Sequence, residues 1–189
     1  PGALAILVLL AAGLRLGVLP LNMPYVREVY AWRGLGNVLR MIGRVAALAM
    51  LARLPAQAVS EPWQSVFLAF SALAAIYGAV MWLASDNELD GRPYWSIALA
   101  GLAVASAVNG NPQASIAWGL VLVLPGSLLF FFSASRRRNM LLPGLAMLGM
   151  LGLPYNPAAV GWAGIAGPSV RFSSFIFLLA VVFLVWGYF

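Results

Sequence analysis

Apolar runs of about twenty residues recur along the whole chain, and only short connectors part them. That length is what a helix needs to cross the hydrocarbon of a bilayer. Seven runs can be drawn: about Gly2–Leu21, Gly34–Leu54, Trp63–Ala84, Tyr94–Val108, Pro112–Ser133, Met140–Ile165 and Phe172–Phe189. Charged residues make up 8% of the 189 residues and hydrophobic ones 63%. Average soluble domains carry about 25% charge, so this composition cannot clothe a water-facing surface. The reading is an all-α, polytopic transmembrane bundle of about seven spans, forming one domain over residues 1–189. Helix breaks are expected near Pro20–Pro24, which stop the first run, and at Pro154–Pro157, which interrupt the sixth. The chain opens Pro1-Gly2-Ala3 and closes inside an apolar run, so it reads as a piece of a longer protein.

All 11 basic residues are arginine, and there is no histidine or cysteine. Disulfides, thiolate metal sites and the usual haem and metal ligands are excluded. No metal or cofactor is expected. Three acids in Ser85–Arg92 lack the ligand pattern of a calcium loop, and the stretch reads as a solvated turn. The net charge of +6 would suggest nucleic acid in a soluble chain. Here the arginines gather near span ends, and the expected partner is the lipid bilayer. Connectors after the first, third and fifth runs hold Arg27, Arg33, Arg92, Arg136, Arg137 and Arg138, whereas the alternate connectors hold Arg53 and Arg171. The positive-inside rule then places the Arg136–Arg138 loop in the cytoplasm and residue 1 outside, in the inner cell membrane. Trp63, Trp82, Tyr94, Trp95 and Trp118 lie near span ends and fit an aromatic belt.

Against this background some arginines are misplaced. Arg15 falls in the first run, and Arg40 and Arg44 fall in the second. A charge at bilayer depth costs about 3 kcal/mol on insertion scales and marks an ion path or a structural pair. Arg33, Asn37, Arg40 and Arg44 follow helical spacing and make one polar stripe, while Arg53 should snorkel to the far interface. Arg15 also precedes a proline-broken stretch containing Asn22, and a broken helix beside a charge is how transporters build ion sites. Arg15, Asn22, Arg40 and Arg44 are therefore the ion-pathway candidates. Arginine keeps its proton, however, so it cannot pass one along. All five acids, Glu28, Glu61, Asp86, Glu88 and Asp90, read as connector residues. No nucleophile–base pair, phosphate loop or dinucleotide fingerprint is present, and no residue is assigned a catalytic role. Gly34-Leu35-Gly36 reads as packing.

The same residues carry a family resemblance. The chain resembles the antiporter-like membrane subunits of respiratory complex I (NADH:quinone oxidoreductase) and of Mrp-type cation/proton antiporters. Arg15 stands at that family's buried lysine, with Pro20 and Asn22 at its Pro-x-His, and Arg44 and Arg53 match its next lysine–arginine pair. Tyr94, Ser96, Ile97 and Gly101 match a following motif, with Leu89 and Asp90 in place of a basic pair and Leu99 in place of a histidine. Ser127-Leu128-Leu129-Phe130 matches Ala-Leu-Leu-Phe, with Gly126 at a lysine and Leu122 at a histidine. Gly152-Leu153-Pro154 and Gly161-Trp162 match a later helix. The resemblance implies two inverted five-helix repeats, of which this piece holds the end of the first and most of the second. It implies proton or cation transport beside other membrane subunits of a larger complex, through an ion pathway degenerate in its second half. It also implies a subunit of a quinone oxidoreductase-like complex and not an enzyme acting alone. The alternatives are a non-transporting structural or assembly subunit, and an anion or small-solute transporter.

Overall fold

The computed structural model describes residues 2–21, 33–55, 59–86, 88–131, 148–166 and 172–187. Among them the chain is all-α, with an isolated antiparallel bridge between Val18 and Leu21. The named helices are α1 (Gly2–Leu16), α2 (Arg33–Leu51), α3 (Trp63–Leu83), α4 (Glu88–Val108), α5 (Pro112–Phe131), α6 (Pro157–Ala166) and α7 (Phe172–Trp186).

The bundle is organised around α4, which touches every other named helix. Every residue from Trp95 to Val108 is buried. A helix apolar all round is a core helix, and this one is narrow because it is built largely of alanine, glycine and serine. Its largest interface is with α3. There a Cβ on Gly78 would lie 2.5 Å from the Tyr94 carbonyl oxygen, and one on Gly101 would lie 2.8 Å from that of Ser71. The two backbones meet at those glycines, a form of packing typical of helices that associate without a hydrophobic driving force. The buried hydroxyls of Ser71 and Ser106 donate to carbonyls four residues back, of Phe67 at 2.7 Å and Leu102 at 2.9 Å, so they are satisfied inside their own helices. Helices α2, α4 and α6 pack on α5, α1 packs on α2, and α7 packs on α3. Across that last interface the Trp82 indole donates to the Leu184 carbonyl at 3.2 Å.

Several boundaries depart from the sequence reading. Helix α1 stops at Leu16, four residues before Pro20. Gly17, at φ 80°, ends it. The Gly17 and Val18 amides reach back to the carbonyls of Leu14 at 3.2 Å and Gly13 at 2.8 Å, the paired bonds of a glycine C-cap. Pro20 lies in the exposed turn beyond, and Pro24 lies outside the described residues. Helix α4 begins at Glu88, inside the stretch expected to be a solvated turn. Glu88 and Asp90 are thus residues of its first turn, where acids suit the helix dipole. Pro93 lies inside the helix, and a Cβ on Gly91 would lie 2.5 Å from the Trp82 ring. This glycine is required for close approach and not for a turn. The break at Pro154–Pro157 is present. A helical turn at residues 148–150 gives way to Gly152 (φ 64°) and Tyr155 (φ 70°), and α6 starts at Pro157. Asn156 caps it, its side-chain oxygen accepting from the Ala158 amide at 3.3 Å.

The seven-span expectation meets a stricter test. By length and composition α3 alone, among the described residues, suffices to cross a membrane. Gly2–Leu16, Met41–Leu51, Pro112–Gly126 and Ser173–Trp186 are apolar but shorter. The reasons are local: Gly17 shortens α1, arginines interrupt α2, and α4 spends its first turns on charged residues. The aromatic belt also shrinks. Trp63 is exposed, but Trp82, Trp95 and Trp118 are buried in the bundle.

Candidate functional site: a guanidinium buried between α2 and α4

Helix α2 carries all four residues of the predicted polar stripe, Arg33, Asn37, Arg40 and Arg44. The side chains of Arg33, Asn37 and Arg40 lie outside the described part of the structure, as does Asn22. Arg44 is buried, at 4% exposure, and is the one charged residue among the buried polar side chains described. Its Nη1 donates to Ser96 Oγ on α4 at 2.7 Å. That hydroxyl in turn donates to the Arg92 carbonyl at 2.9 Å, one turn back along α4. The back-bond spends the hydroxyl proton on the helix and turns an oxygen lone pair toward Arg44. Ser96 therefore differs from Ser71 and Ser106, whose oxygens serve their own helices. A hydrogen bond to a charged group contributes roughly 1.5–3 kcal/mol, comparable to the cost of placing the charge at depth.

Apolar side chains pack close beside this pair. Met41, one turn before Arg44, and Trp95, next to Ser96, both face Gly126 of α5. A Cβ on Gly126 would lie 2.7 Å from Trp95 Cζ3 and 3.6 Å from Met41 Cε. Gly126 is where the family resemblance puts a lysine, and the Trp95 ring now fills that place. Leu99 and Leu122, at two matched histidine positions, are both fully buried.

The remaining expected site residues are placed apart from Arg44. Arg15 is exposed, in the last turn of α1, where a cation complements the negative end of the helix dipole. It is not the second buried charge that the sequence led one to expect. Arg53 is exposed just beyond α2, as its spacing from Arg44 implies. Pro154 and Pro157 sit in an exposed turn, with Tyr155 fully exposed, so this break opens on the surface and not into the bundle. Glu61, Asp86 and Asp90 are exposed. The sequence had required some partner for Arg44. In the sequence Ser96 stands out only as a motif residue, and no local pattern links positions 52 apart.

Among the described residues, two grooves lie on the outer surface. One of about 490 Å3, between residues 150–151, α6 and α7, is lined without charged side chains and includes Met150, Trp162, Val181 and Trp186. The other, of about 400 Å3, lies between α1 and the end of α2 and contains Arg53. Neither family models, curated proteins nor solved structures give a match to this chain.

Proposed function

We propose that the chain is a membrane-embedded subunit of the antiporter-like class, with Arg44 as the fixed charge of one half-channel and a second half-channel filled by apolar packing. The observation that carries this reading is the burial of Arg44 against a serine oriented to receive it. A guanidinium does not release its proton, so it acts by holding water, an anion or the carboxylate of another subunit, and by setting the field along the path. The family resemblance supplies the class. The bundle's outer faces fit residence in lipid: Leu4, Leu7, Ile42, Leu73, Leu124 and Phe175 are large, apolar and exposed on five different helices. Large exposed apolar side chains on so many helices are what a lipid-facing surface requires.

The test is cation or proton flux by the full-length protein in liposomes. Arg44→Gln is expected to lower the flux at least tenfold while the protein still inserts. Equal flux in the variant and the parent would refute the role of Arg44. A second reading, a scaffold that transports nothing, is favoured by the filling of the matched lysine and histidine positions by Trp95, Leu99 and Leu122. It predicts no flux from the parent protein and loss of a larger membrane complex when the chain is deleted.

A further inference from the structure

The groove between α1 and the end of α2 combines two kinds of chemistry that the larger groove beside α7 does not. Its walls include Leu4, Ala5 and Val8 of α1, and Met50 and Leu54 of α2 and the turn after it, all apolar. Arg53 is the one charged side chain in its lining. Leu4 is 71% exposed and Arg53 is exposed, so the groove opens outward along its apolar side and carries its charge on the surface. No described residue forms an ion pair with Arg53, so its charge is available to an outside anion.

An alkyl chain suits the walls and an anion suits the guanidinium. One molecule supplies both at this spacing, and we propose that the groove is a binding site for an anionic phospholipid, with an acyl chain along Val8 and Met50 and the phosphate group on Arg53. The proposal rests on the membrane-embedded reading above. Arg53 lies two residues past the end of α2, at the end of the α1–α2 pair where α1 starts. A guanidinium placed there on a flexible stem reaches the headgroup layer while its methylenes stay on apolar surface. Such a contact differs from a free phosphate site, which would need only the charge. It differs equally from a general lipid-facing surface, which would need only the walls.

The experiment has two stages. The full-length protein is first floated with vesicles of phosphatidylcholine or of a phosphatidylcholine–phosphatidylglycerol mixture. Failure to float with either overturns both the membrane reading and the lipid site. Protein that floats is then titrated in detergent with phosphatidylglycerol or phosphatidylcholine, and apparent affinity is read from thermal stabilisation. The expected preference for phosphatidylglycerol is about fivefold, the ratio given by roughly 1 kcal/mol for one arginine at an anionic surface. Arg53→Gln should abolish the preference, Arg53→Lys should keep it, and Val8→Trp, which fills the groove, should weaken both lipids. An equal preference in Arg53→Gln overturns the proposal while leaving the membrane reading intact. So does full stabilisation by glycerol phosphate alone.

Discussion

Ser96 is a small side chain with two duties. It receives the Arg44 guanidinium and is itself aimed by the Arg92 carbonyl. Removing the hydroxyl withdraws an acceptor from a buried charge, whereas removing the charge withdraws the need for it. The two changes should therefore differ in sign. Ser96→Ala is expected to destabilise the bundle by about 1.5–3 kcal/mol, measured by denaturant titration in detergent. Arg44→Met should be neutral or stabilising, since apolar replacement of buried charge often is. A loss of stability in Arg44→Met as large as that in Ser96→Ala would show that the guanidinium is a net structural asset.

At the scale of elements, the seam between α3 and α4 is set by glycine. At Gly101 an added Cβ meets the Ser71 carbonyl oxygen and, at 2.9 Å, the Ala75 amide nitrogen. Neither can rotate away, because both belong to the facing backbone. Gly101→Val should cost more than the 1–3 kcal/mol of ordinary overpacking, read as loss of folded protein after detergent extraction. Gly119→Ala should be mild by comparison, since its neighbour is the flexible end of Leu48 at 3.2 Å. Most helices were legible in the sequence because long apolar runs announce them, and α3 begins where its run begins. The boundaries at Gly17 and Glu88 were less so. Proline is a louder signal than glycine, and Gly91 serves a contact with Trp82 on the preceding helix, which forms only when α4 folds back on α3. The partnership of Arg44 was half legible: residue composition showed a charge in need of a partner, but only the crossing of α2 over α4 selects Ser96.

At the scale of the molecule, the described surface carries many large apolar side chains, and its reading as a membrane bundle can be tested on them directly. Leu73 is 51% exposed at the middle of α3. In water, Leu73→Asp would be a benign surface change, within about 0.5 kcal/mol. At the centre of a bilayer-spanning helix it would cost about 3 kcal/mol and reduce insertion. Membrane-fraction yield of Leu73→Asp compared with Asp placed at the exposed Gln113 (Gln113→Asp), near the start of α5, separates the two environments. Equal yields would refute lipid around α3.

The arrangement about α4 also bears on how such a bundle is made. The helix precedes α5, α6 and α7 in the order of synthesis, yet it ends enclosed by them. Until they emerge it has no protein cover on those sides. Hydrocarbon is a tolerable temporary solvent for an alanine-rich surface, being as apolar as the leucines that will replace it. In a bilayer, then, a ribosome delivering this chain can release α4 on the face of α3 before the last three named helices that cover it have been made.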